Sequence, residues 1–301
     1  MPLSQNTRGA IMMTVAMGVF NTNDALVKMV TPEMNTGQIM FLRGLMTTAL
    51  LLLMARHYGV LDKFRLMFSP RVLLRSAFEI AATVSYVTAL AHIELAVAAT
   101  ILLSLPLAVT LGARLFFGEA VGWRRWAAIT VGFIGVVIVL RPGPDAFAPA
   151  ALLALITVVF TCGRDLITKR ISPGIPTLLI SLFAGITNTV FGAILIVPMG
   201  GWSPVSLSAF LHLALAAALI LTGYQAIVIA MRSGEISFVA PFRYTALIFS
   251  LSLGFYFFGE RPNGFMAVGA SLIVASGLYA FYREKRRTRS IAAEASTRPS
   301  G

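Results

Sequence analysis

A helix that crosses a bilayer needs about 20 mostly apolar residues, and this chain offers ten such stretches, at 8–28, 36–56, 73–91, 94–115, 123–140, 149–169, 176–198, 206–230, 235–258 and 262–282. The gaps are short and carry turn formers: Pro32, Ser69-Pro70, Pro142-Gly143-Pro144, Ser172-Pro173-Gly174, Gly200-Gly201 and Pro262-Asn263-Gly264. That pattern predicts an all-α integral membrane protein with no room for a soluble domain. Composition agrees: 57% of residues are hydrophobic and 12% charged, against about 25% charged in soluble proteins. The single cysteine, Cys162, excludes an intramolecular disulfide.

The run Ala10 to Phe20 after Arg8 resembles a signal peptide. It continues through Asn21, Thr22, Asn23 and Asp24 without a small-x-small cleavage site, so we read it as the first membrane helix. Lys and Arg set the orientation. With the N-terminus cytoplasmic, seventeen fall in inside segments and three (Lys28, Arg141 and Arg261) outside. Both termini are therefore expected in the cytoplasm. The basic tail 283–301 becomes an orientation and lipid-headgroup signal, so the net charge of +12 does not imply nucleic acid.

The chain also repeats itself at an offset of 141 residues. Asp24, Lys28, Pro32 and Thr36 recur as Asp165, Lys169, Pro173 and Thr177, and Phe116-Phe117-Gly118-Glu119 recurs as Phe257-Phe258-Gly259-Glu260. Gly44/Gly185, Thr48/Thr189 and Glu94/Glu235 share the offset. Each copy, 8–141 and 149–282, holds five spans. An odd number inverts the second copy, which is the architecture of carriers that open one site to each face in turn.

An ionised side chain at the bilayer centre costs roughly 3 kcal/mol or more and needs a partner or a wet cavity. Asn21, Asp24 and Lys28 share a face of the first span with Thr14. Asp24 either lines a cavity or forms an i,i+4 salt bridge with Lys28, and Asp165 with Lys169 repeats the spacing. Arg43 lies in the second span, and Glu79 in the third with Thr83 and Tyr86 on its face. Arg243 and Tyr244 follow Pro241, which removes a backbone hydrogen bond and can kink the ninth span. Arg243 either binds substrate or neutralises Glu79 or Asp24. Tyr86, Tyr224 and Tyr244 are candidates for stacking on a planar ligand. Glu119 and Glu260 read as caps or interface groups, with gate charges as the alternative. Gly132, Gly135, Gly264, Gly269 and Gly277 read as helix-packing positions.

No phosphate-binding Gly-x-x-x-x-Gly-Lys-Ser/Thr loop, His-Glu-x-x-His pair or Gly-x-Ser-x-Gly elbow occurs, and His57, His92 and His212 are scattered. No cofactor, metal site or enzymatic activity is expected. A proton gradient and the substrate's own gradient remain as energy sources, and a homodimer is compatible with the chain.

Five plus five spans, Arg43 in the second and Phe-Phe-Gly-Glu closing the fourth and ninth resemble the EamA group of the drug/metabolite transporter superfamily over residues 8–282. Gly259-Glu260-Arg261-Pro262 keeps the group's Gly-Glu-x-Pro pattern, while Ala120 and Val121 depart from it after Glu119. The resemblance implies an inner-membrane carrier of small metabolites. Asn6-Thr7-Arg8-Gly9-Ala10, Asn21-x-Asn23-Asp24 and Pro241-Phe242-Arg243-Tyr244 are further similar to bacterial riboflavin uptake carriers. The expected function is secondary transport, with riboflavin uptake first, export of amino acids or related metabolites second, and a membrane sensor or enzyme as the alternative of another class. The expected substrate-binding residues are Asn21, Asp24, Arg43, Glu79, Tyr86, Arg243 and Tyr244.

Overall fold

The computed structural model describes residues 4–119, 122–140, 149–172, 174–233 and 235–296. The expected Pro142-Gly143-Pro144 turn, Ala120, Val121, Pro173, Arg141 and Arg298 lie outside these residues. The helices are α1 (Gln5–Val30), α2 (Thr36–His57), α3 (Pro70–Leu90), α4 (Leu95–Leu102), α5 (Leu105–Phe117), α6 (Trp123–Leu140), α7 (Pro149–Thr168), α8 (Thr177–Ile196), α9 (Leu207–Ser233), α10 (Ile236–Val239), α11 (Ala246–Phe258) and α12 (Gly264–Ser296). Short 3₁₀ turns cover Leu61–Phe68 and Ala240–Thr245. Among the described residues, nine helical segments are long and apolar enough to cross a membrane, with α4 and α5 counted together.

The two remaining departures from ten unbroken helices have one chemical cause. Pro106 has no N–H to offer the carbonyl of Leu102, and α4 ends there. Ser104 repairs part of the break by donating its hydroxyl to the Ile101 carbonyl at 2.6 Å, as a break inside a membrane requires. Thr100 and Ser104 are fully buried and bonded to their own helix, so they serve packing. Pro241 acts likewise in the expected ninth span, which becomes α10, a 3₁₀ turn and α11.

Neighbouring helices pack in counterpart pairs at the 141-residue offset. α1 lies along α9 and α7 along α3, and α2 and α6 pack on their own counterparts, α8 and α12. Without a hydrophobic force between helices in lipid, close approach depends on small residues. A methyl group on Gly192 would stand 2.5 Å from the backbone nitrogen of Phe41, and one on Gly135 2.8 Å from the carbonyl of Gly269. Gly132, Gly269 and Gly277 are similarly crowded, whereas Gly264 faces open space and is not a packing position. The outward surface is apolar: Leu53, Phe116, Ile194 and Val197 are exposed. A water-soluble monomer would not present so extended an apolar surface, and in a bilayer it meets lipid.

Candidate functional site

The loops joining α2 to α3, α7 to α8 and α9 to α10, with the helix ends beside them, carry Arg56, Lys63, Arg65, Arg71, Lys169, Arg170 and Arg232 and define one side of the bundle, here the basic side. A cavity of about 490 Å³ lies in that half, lined by the C-terminal ends of α2, α7 and α9 and the N-terminal ends of α3 and α8. Its polar lining comprises Arg43, Thr47, Arg75, Glu79, Thr83, Arg164, Asp165, Thr168, Thr177, Ser181, Asn188, Tyr224 and Gln225.

One wall is a chain of ion pairs. Glu79 accepts from Arg164 at 3.2 and 3.4 Å and pairs with Arg75 at 3.2 Å, one turn earlier on α3. Arg164 Nη2 also meets Asp165 Oδ1 at 2.9 Å, and Arg75 Nε donates to Thr168 at 3.2 Å. Desolvated charges persist only when paired and hydrogen-bonded, and this network joins α3 of one half to α7 of the other.

Arg43 stands apart. It lines the cavity from mid-α2 in the field of Asp24 and Glu79. Its guanidinium has no hydrogen bond or ion pair among the described residues. Three arginines and two carboxylates line the cavity, so one positive charge is in excess, and Arg43 is the group left to supply it. The buried amide oxygen of Asn188 likewise has no partner.

The other residues singled out from the sequence are placed as follows. Tyr86 donates to Asp24 Oδ2 at 2.7 Å and Asn23 to Oδ1 at 2.9 Å, a cluster outside the cavity lining that still acts on Arg43. Asn21 spends its amide on the Met17 carbonyl of its own helix at 2.8 Å. Arg243 lies in the field of Asp165 but not on the cavity wall. Tyr244 is buried, its hydroxyl seated against Gly277 without a hydrogen-bond partner. Of the three tyrosines only Tyr224 lines the cavity, edge-on to Phe20.

Three expected pairings are corrected. Lys28 does not bridge to Asp24: it extends from the last turn of α1 to Glu260 at 2.9 Å and to the Ile93 carbonyl. Asp165 is held by Arg164 rather than Lys169, which is exposed. Arg243 does not neutralise Glu79 or Asp24, because Arg75 and Arg164 occupy the first and Tyr86 and Asn23 the second. Arg164 is the group that sequence reasoning passed over. Its signal was an arginine inside an apolar run, immediately before a repeated aspartate.

The side opposite the basic loops is closed. Gln38 and Ser203 exchange hydrogen bonds at 2.7 and 2.9 Å, Asn35 donates to the Gly201 carbonyl at 2.7 Å, and Ser206 donates to Glu33 at 2.6 Å. Both oxygens of Glu260 accept from the Leu95 N–H at 2.9 Å, capping α4 beside Lys28. The cavity therefore has a sealed end and an open one.

A charged, partly paired cavity sealed at one end within a bundle of membrane-length helices agrees with the chain's relatives. The profile of the EamA-like transporter family matches residues 7–141. The chain is 32% identical to a riboflavin transporter of Rhizobium johnstonii over 212 residues, 68% of each protein. The chain belongs to the EamA-like transporter family. It is thus a multi-pass membrane transporter of a small molecule and not an enzyme. It is also 30% identical to a riboflavin transporter of Vibrio cholerae over 63% of each protein. An S-adenosylmethionine uptake transporter of Rickettsia bellii is 27% identical over 88% of this chain and 90% of its own. A crystallographically determined chain, 18% identical, superposes with a TM-score of 0.65 over 92% of this chain and 98% of that one, which bears on the fold alone.

Proposed function

We propose that the chain takes up riboflavin across the bacterial inner membrane by alternating access, with both termini cytoplasmic and two inverted five-helix units, 8–141 and 149–282, exchanging roles. The observation that carries the reading is the unpaired Arg43 facing a cavity of about 490 Å³, within the range that encloses a drug-sized ligand. A flavin presents ring carbonyls and ring nitrogens that accept hydrogen bonds without bearing charge. Arg43 offers the donors, Tyr224 an aromatic face, and Ser181, Asn188 and Gln225 partners for a hydroxylated tail. Kinship with two riboflavin transporters supports the substrate, and the 17-to-3 distribution of Lys and Arg supports the orientation. On this reading the basic side is cytoplasmic and the open end of the cavity faces inward.

Expression in a riboflavin-auxotrophic bacterium should restore growth on low vitamin, and Arg43→Ala should abolish rescue at unchanged membrane abundance. Failure of the unaltered protein to rescue, with protein in the membrane, rejects riboflavin as cargo. Asp165 on the cavity wall favours a second reading, a metabolite carrying an amino-acid group, because its carboxylate offers a place for the ammonium. Kinship with S-adenosylmethionine uptake transporters points the same way, and labelled amino-acid metabolites in proteoliposomes would reveal it.

A further inference from the structure

The two Phe-Phe-Gly-Glu motifs have the same local geometry and opposite fates. Each ends its helix on a left-handed glycine, Gly118 at φ 67° and Gly259 at φ 63°. In each, the glutamate N–H returns to the carbonyl six residues back, Glu119 to Ala113 at 3.4 Å and Glu260 to Gly254 at 3.0 Å, as a helix closing on such a glycine does. On the sealed side the motif is engaged. The side chains of Glu260 and Lys28 are 9% and 15% exposed, and the Lys28 ammonium stands 5.2 Å over the Phe258 ring. On the basic side the same residue types are apart. Glu119 and Lys169 are exposed, neither has an ionic partner among the described residues, and Phe117 is covered by Arg170 at 4.3 Å.

Helix packing repeats the contrast. α4 lies along α11 on the sealed side, and its counterpart α10 makes no comparable contact with α5. The open cavity reaches the basic side between α2, α3, α7, α8 and α9.

We propose that Glu119 and Lys169 are the second gate: they pair across the basic side, as Lys28 and Glu260 do here, when the cavity opens to the opposite side. The assignment rests on the alternating-access reading but not on the identity of the cargo. The two gates differ in one respect. The Glu260 carboxylate folds back over Gly254, in space a methyl group would take, and the first half carries Ala113 at that position. Glu119 cannot tuck against its own helix in this way, so its pair is the more exposed and the weaker. The state with the sealed end at Lys28 is accordingly favoured at rest.

The same symmetry supplies a reporter. Thr168 lines the cavity, and its counterpart Val27 is 1% exposed in this state. In the opposite state Val27 becomes the cavity lining. The experiment uses the full chain in liposomes, with Cys162→Ser as background and Val27→Cys labelled by a membrane-impermeant maleimide from the side opposite the basic loops. Labelling should be slow, should fall about two- to fivefold in Glu119→Lys and in Lys169→Glu, and should return in the double reversal. It should rise in Glu260→Gln, which loosens the opposite gate. That rise also shows that the reporter works and the protein is folded. Single reversals without effect, a double reversal that fails to restore labelling, or a reporter silent even in Glu260→Gln each overturn the proposal. No substrate is needed, so a wrong cargo leaves this result intact, and a wrong gate leaves riboflavin rescue intact.

Discussion

The two ends of the bundle are built from the same residue types and behave differently. At the sealed end, Lys28, Glu260 and the N-terminus of α4 make a compact charge-assisted knot, and the loops around Asn35 and Ser203 are stitched together by further hydrogen bonds. At the basic end, Glu119 and Lys169 stand exposed. The ion pairs nearest that end, from Arg75 through Glu79 to Arg164 and Asp165, line the cavity instead of closing it. Sequence identity at a motif therefore does not fix its contacts. One chain writes the same pairing chemistry at both ends, and the geometry of a given state completes it at one.

The two ends should respond unequally to substitution. The largest effect should come from joining the sealed end covalently. Lys28→Cys with Glu260→Cys, bridged by a short bis-methanethiosulfonate in the Cys162→Ser background, should reduce proteoliposome transport to background, and reduction of the two disulfides should restore it. Next, Glu79→Ala leaves the Arg75 and Arg164 guanidiniums without their shared carboxylate. Their side chains are 14% and 21% exposed, and stranding buried charge costs about 3 kcal/mol, to be read as a lower melting temperature in detergent. Gly254→Ala should displace the Glu260 carboxylate from the Leu95 N–H, a loss of about 1–2 kcal/mol from the sealed end, and raise labelling of Val27→Cys without loss of folding. The smallest effect on stability belongs to Glu119→Gln. Its melting temperature should match the unaltered protein, because that exposed carboxylate has no ionic partner among the described residues.

Much of the fold was legible because lipid leaves a chain few options. Every membrane-length helix begins within a few residues of an expected apolar stretch, although α12 runs past the expected end at 282 to Ser296, into the segment expected as a tail, and Pro241 announced the break between α10 and α11. The break at Leu103 and Ser104 was less visible, since Pro106 lies past it and its effect falls four residues earlier. The site was harder to read. Spacing along one helix suggested Asp24 with Lys28, but a lysine in a last turn can reach the ends of neighbouring helices, and local periodicity is blind to them. Arg43 and Glu79 could be singled out as charges in apolar runs. That Glu79 would be consumed by Arg75 and Arg164, leaving Arg43 alone, depends on how α3 and α7 meet. Asp165, which the repeated spacing matched with Lys169, lines the cavity, so repetition does not separate framework from site.

Thr48 and Thr189 meet hydroxyl to hydroxyl at 3.4 Å, 141 residues apart, beside Gly44 and Gly185. When two inverted halves trade conformations, every contact is replaced by its counterpart, and a contact between counterparts is replaced by itself. On the alternating-access reading the α2–α8 crossing, like that of α6 on α12, is a bearing whose two surfaces stay in register while the gates on either side alternate. A bulky residue at Gly44 or Gly185 would burden both states equally, leaving their ratio untouched while slowing passage between them.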